Sequence, residues 1–80
     1  MLTVNTHIIS LEGECAWVDG HGEVETGPNV EGIIVDVLPE QERCYSVLFG
    51  EVWIFLSEVE VEDTSKYLIC SEQLISYYYT

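Results

Sequence analysis

The sequence predicts an all-β fold, a small barrel or sandwich of short strands. Three observations predict it. Residues alternate with a period of two, as in Ile33-Ile34-Val35-Asp36-Val37 and Val52-Trp53-Ile54-Phe55-Leu56, where β-branched and aromatic side chains dominate. Turn signals recur at short intervals along the chain, the pattern of small barrels and sandwiches. No stretch carries the 3.6-residue apolar repeat of an amphipathic helix. A barrel also removes the exposed strand edges that invite aggregation.

The elements follow in chain order. Residues 1–11 are predicted to form an N-terminal arm, 12–63 the barrel core and 64–80 a C-terminal extension, all in one domain. Residues 14–18 are predicted as the first strand. The turn Asp19-Gly20-His21-Gly22 ends it, because glycine supplies the positive φ angles of tight turns. Thr26-Gly27-Pro28-Asn29 is a second punctuation mark. Residues 32–38 and 44–49 are strands separated by Pro39-Glu40-Gln41-Glu42, and Gly50-Glu51 connects tightly to a strand over 52–56. Val59 and Val61 alternate with Glu58, Glu60 and Glu62, which reads as another strand. After Asp63-Thr64-Ser65, residues 67–70 and 74–79 are predicted strands, with room for one helical turn at 71–74.

Composition bounds the function. Eighty residues make a single domain with a small core. Fifteen acidic side chains face two basic ones, Arg43 and Lys66, for a formal charge of -13. That charge repels nucleic-acid phosphates and anionic membranes and favours cationic partners. A hydrophobic fraction of 48% separates the chain from acidic disordered sequences. No apolar run approaches the ~20 residues of a membrane helix. The N-terminus lacks the basic and apolar regions of a signal peptide. Three separated cysteines, Cys15, Cys44 and Cys70, form no closed disulfide set. The expected location is the cytoplasm, where thiols stay reduced.

The segments Gly32-Ile33-Ile34-Val35-Asp36-Val37, Tyr45-Ser46-Val47-Leu48-Phe49-Gly50, Val52-Trp53-Ile54 and Ser57-Glu58-Val59-Glu60-Val61 together resemble an SH3-like small β-barrel of the short phage and bacterial accessory type. The resemblance covers residues 31–62. It implies a one-turn 3₁₀ helix at the last of these segments, leading into a closing strand. Such barrels bind peptides, nucleic acids or other proteins, so the fold alone names no ligand. The acidic loop residues Glu23, Glu25, Glu40 and Glu42 depart from the basic loops of the nucleic-acid-binding members.

Three constellations are candidates for function. If Val52, Ile54 and Leu56 face the interior, Trp53 and Phe55 point outwards, to be covered by the chain's own termini or by a partner. With Tyr45 they are the aromatic candidates for partner binding, since aromatic anchors dominate interface energy. Glu58, Glu60 and Glu62 would share one strand face at about 6.6 Å spacing. That row either solvates the surface or imitates a phosphate track. Glu12 with Glu14, and Glu23 with Glu25, would pair in the same way.

Metal and catalytic signals are weak. No Cys-x-x-Cys or His-x-x-x-His pair is present. No nucleophile elbow or phosphate loop appears. The expectation is therefore a non-catalytic protein-binding module without a cofactor, acting on a protein with a basic surface and not on nucleic acid or membrane. The alternatives are an acidic DNA mimic that blocks a nucleic-acid-binding enzyme, and a small structural subunit of a virion-like assembly. Self-association into a homo-oligomer fits the last.

Overall fold

The computed structural model describes residues 1–70. The seven strands run β1 (His7–Ser10), β2 (Cys15–Val18), β3 (Gly22–Glu25), β4 (Val30–Val37), β5 (Tyr45–Phe49), β6 (Val52–Leu56) and β7 (Tyr67–Cys70), with one helix, α1 (Glu58–Glu62), between β6 and β7. Five strands make an antiparallel sheet in the order β6-β5-β4-β1-β7. β2 and β3 form a separate antiparallel ribbon. The described residues thus form a mostly-β small domain of antiparallel sheets with one short helix, in keeping with the all-β expectation.

Alternation decides the two faces of the large sheet. Tyr45, Val47 and Phe49 on β5 and Val52 and Leu56 on β6 are buried. They join Ile8, Ile34, Cys44, Val61 and Tyr67 in the core. Each large apolar side chain buried there contributes about 1.5–3 kcal/mol. Gly32 on β4 is required by this packing. A Cβ at that position would stand 2.9 Å from Phe49 Cγ and closer still to other atoms of the ring.

A register shift lies between Ile34 and Asp36 on β4. The extra residue, Val35, takes no partner on β5. Were Val35 paired in regular register with Ser46, Asp36 would fall opposite Tyr45 and point inwards; with Val35 bulged out, Asp36 stands opposite Ser46 and Val37 opposite Tyr45. A bulge therefore keeps a carboxylate out of the core.

Two segments depart from the sequence-based expectation. Residues 1–11 do not merely form an arm, because β1 is inserted between β4 and β7. Ile8 pairs opposite Gly32 and is fully buried. The predicted strand over 58–62 is α1. Ser57 caps it: its hydroxyl accepts the Glu60 N–H, and the Glu60 carboxylate accepts the Ser57 N–H, both at 3.1 Å. This capping box satisfies two donors at the helix start and outweighs the period-two pattern. The predicted strand at 74–79 and helical turn at 71–74 lie outside the described residues.

Candidate protein-binding surface

The outer face of the five-stranded sheet follows from its register. Trp53 stands opposite Leu48, Leu48 opposite Ile33, Ile33 opposite His7, and His7 opposite Cys70. One row thus crosses all five strands. A neighbouring row sets Phe55 opposite Ser46 and Ser46 opposite Asp36. On the far side, Glu31 is opposite Ile9 and Ile9 opposite Leu68.

Trp53 and Phe55 stand on β6, an edge strand of this face. Both point outwards, as the alternation on β6 requires, and they remain 61% and 48% exposed. Their rings stack with centroids 6.4 Å apart and planes 29° from parallel. The indole N–H of Trp53 donates to Ser46 Oγ, so the ring reaches across β5 and is held there. Ser46 is buried beneath it at 1% exposure.

The rest of the face is apolar at its middle and acidic at its margin. Leu48 and Val35 are exposed. A shallow depression beside them is lined by His7, Glu31, Gly32, Ile33, Leu48 and Gly50. His7 Nδ1 lies 2.5 Å from Glu31 Oε1. Asp36 holds the opposite margin, its Oδ1 accepting the Val37 N–H at 2.9 Å.

Tyr45 does not belong to this surface. Its ring is fully buried, because residue 45 falls on the inward phase of β5. Its hydroxyl accepts the Leu2 N–H at 2.8 Å and donates to the Glu58 carboxylate. Burial, with that hydrogen bond, pushes its pKa up to about 12. The residue ties the N-terminal segment to α1, which is a structural task.

The Glu58, Glu60 and Glu62 row is likewise corrected. On a helix, residues two apart lie on different sides, so the three carboxylates form no evenly spaced track. Glu58 receives the Tyr45 hydroxyl. Glu60 completes the cap, and its carboxylate lies 3.6 Å from Arg43 Nε. Glu62 is exposed. Val59 and Val61, expected on a common side, separate in the same way: Val59 is exposed and Val61 buried.

Glu14 also has a structural role. It accepts from Ser10 Oγ at 2.5 Å and from the Tyr67 hydroxyl at 3.0 Å. Burial and this carboxylate raise the Tyr67 pKa.

The β2–β3 ribbon presents a second exposed side. Cys15, Trp17, Glu23 and Glu25 share it, with Cys15 opposite Glu25 and Trp17 opposite Glu23. Glu23 and Glu25 therefore do share a face. The Cys15 thiol donates to Glu23 Oε1 at 2.8 Å, and this bond with the nearby carboxylates pushes its pKa up to about 11. One donor atom from each of Cys15, Glu23 and Glu25 falls within 4.8 Å of the others, all three residues being exposed. Cys44 is buried and Cys70 half-buried, both as free thiols. Among the described residues no helix is long and apolar enough to cross a membrane.

Comparisons with protein-family models, curated proteins and solved structures found no match for this chain. Sequence reasoning found Trp53 and Phe55 from the β6 alternation. It missed Ile33, Leu48 and Asp36, whose common face depends on cross-strand register and on the bulge at Val35. It also missed the capping box, which is legible as Ser57-x-x-Glu60.

Proposed function

We propose that this chain is a non-catalytic protein-binding module, an SH3-like small barrel whose outer sheet face docks a basic protein. The observation that carries the reading is the stacked Trp53–Phe55 pair, fixed by Ser46 and open to solvent. Large exposed aromatic rings held on a strand beside an exposed Leu48 have the composition of an interface anchor. The fold part of the proposal is supported by the helical turn between β6 and β7, where the resemblance implies one. The charge of -13 supports a cationic partner.

The test uses the tagged full-length chain as bait in lysate of its source, at low and high salt, beside Trp53→Ala. The expected result is one protein retained at high salt and lost with Trp53→Ala, a loss of about 30-fold or more in affinity for an aromatic anchor. A nucleic-acid enzyme released by salt and indifferent to Trp53 would replace this reading with acidic mimicry. A self-assembled species with no partner would replace it with a structural subunit.

A further inference from the structure

Trp53 is held in an orientation that its burial does not explain. A ring 61% exposed contributes little to the core, yet its N–H is bonded to Ser46 and its side is stacked on Phe55. The outward side of the indole is thereby presented at the surface in one geometry. Asp36 stands directly opposite Ser46, the residue the indole lies against. Neighbouring strands lie about 5 Å apart, so Asp36 stands one strand beyond Ser46, on the same face as the residue to which the indole N–H is bonded. The Asp36 Oδ1 contact with the Val37 N–H holds that carboxylate in place.

The register thus sets an exposed aromatic plane and a carboxylate on one face, with Ser46 between their backbones. From that juxtaposition we infer that the Trp53–Phe55–Asp36 corner is the docking position for an arginine side chain of the partner protein. The inference rests on the protein-binding reading of this face and names the chemistry of its occupant. A guanidinium stacks on indole and offers in-plane N–H donors to a carboxylate beside the ring, whereas an ammonium is a compact, strongly hydrated point charge.

Charge decides against the other occupants. Arg43 sits in the loop between β4 and β5 beside Glu60, and Lys66 precedes β7, so neither supplies a cation at this corner. The margin groups on the face are Asp36 and the Glu31–His7 pair. A second copy would bring carboxylate against carboxylate and a charge of -13 against -13. An anionic ligand meets the same repulsion.

The experiment titrates the full-length, ¹⁵N-labelled chain with nona-arginine and nona-lysine peptides at 0.15 M salt, following the two indole N–H signals. Trp17 is the internal control, being more exposed than Trp53 and beside Glu23 and Glu25. Nona-arginine is expected to shift the Trp53 signal more than the Trp17 signal and to bind more tightly than nona-lysine. Trp53→Leu and Asp36→Asn should each weaken nona-arginine binding by about two- to fivefold and bring it towards the lysine value. Both changes are at exposed positions, and an unchanged amide spectrum elsewhere verifies the fold. Equal binding of the two peptides, a larger response at Trp17, or a Trp53-dependent dimer in sedimentation overturns the arginine assignment. Those outcomes leave the protein-binding reading to its own test, which asks only whether a captured protein is lost with Trp53→Ala.

Discussion

Replacing Tyr45 with Phe separates a structural tyrosine from a binding one. The substitution keeps the fully buried ring and removes only the hydroxyl. Two hydrogen bonds go with it: one from the Leu2 N–H and one to the Glu58 carboxylate. A bond to a charged group contributes about 1.5–3 kcal/mol. Glu58 is half-buried and regains water, so the lower end applies, and the Leu2 amide adds a few tenths. The expected loss is about 2 kcal/mol, which lowers the melting midpoint of a domain this size by roughly 8–16 °C. Urea unfolding followed by far-UV circular dichroism measures it, and affinity for the partner should be unchanged. A pH series gives a second, independent reading. The folded-state pKa of Tyr45 stands near 12, above its ordinary value of 10.0. The unfolded chain therefore ionises first on raising pH. Stability is fully present below pH 10 and is lost as pH rises towards 12, by about 2–3 kcal/mol for this group. Tyr67, also raised, acts in the same direction. Tyr45→Phe should flatten the alkaline decline. A variant with unaltered stability but lost partner binding would refute the assignment and restore Tyr45 to the interface.

Gly32→Ala forces a methyl group against the Phe49 ring and should cost about 1–3 kcal/mol in urea unfolding, with Phe49→Leu in the same chain recovering part of it. Ser57→Ala removes the cap of α1 and should cost about 0.5–2 kcal/mol, whereas Ser57→Asp should retain most of the stability; equal loss in both would disprove the cap's role. Raising salt from about 0.01 to 0.15 M shortens the screening length from about 30 to 8 Å. With a charge of -13 the melting midpoint should rise, and a flat or falling response would mean that self-repulsion is not a significant cost.

The strands over 45–49, 52–56 and 67–70 were legible because their alternation is local and bounded by strong turns. The inward phase of β6 was legible for the same reason, and it located Trp53 and Phe55. β1 was not: the burial of His7–Ser10 depends on β4 and β7 lying either side, which no local turn signal announces. Glu58-Val59-Glu60-Val61-Glu62 satisfies a strand pattern in isolation. A helix wins because Ser57 and Glu60 close a capping box and Val61 alone reaches the core. Tyr45 misled for a related reason. An aromatic residue with a polar tip suits an interface or a core equally well, and only the partner of its hydroxyl distinguishes them. Asp36 could not have been placed beside Trp53 from the sequence, since 16 positions separate them and the bulge reverses the local phase.

The acidic residues divide by task, and that division bears on how a partner would be recognised. Glu14, Glu58 and Glu60 accept hydrogen bonds within the fold, so each is held and partly screened. Glu23, Glu25 and Asp36 stand on exposed sides of strands with fixed neighbours. The overall field of the chain steers any cation towards it and raises association rates without choosing among partners. Choice requires groups whose positions are fixed relative to an apolar anchor. On the large sheet that condition is met where Ser46 pins Trp53 and the Val35 bulge turns Asp36 outwards. Deleting Val35 would remove the bulge yet leave Asp36 opposite Ser46 on the outward phase, with the charge count unchanged. Both the long-range attraction for a polycation and the preference for arginine over lysine should persist in that variant, whereas Asp36→Asn should remove the preference.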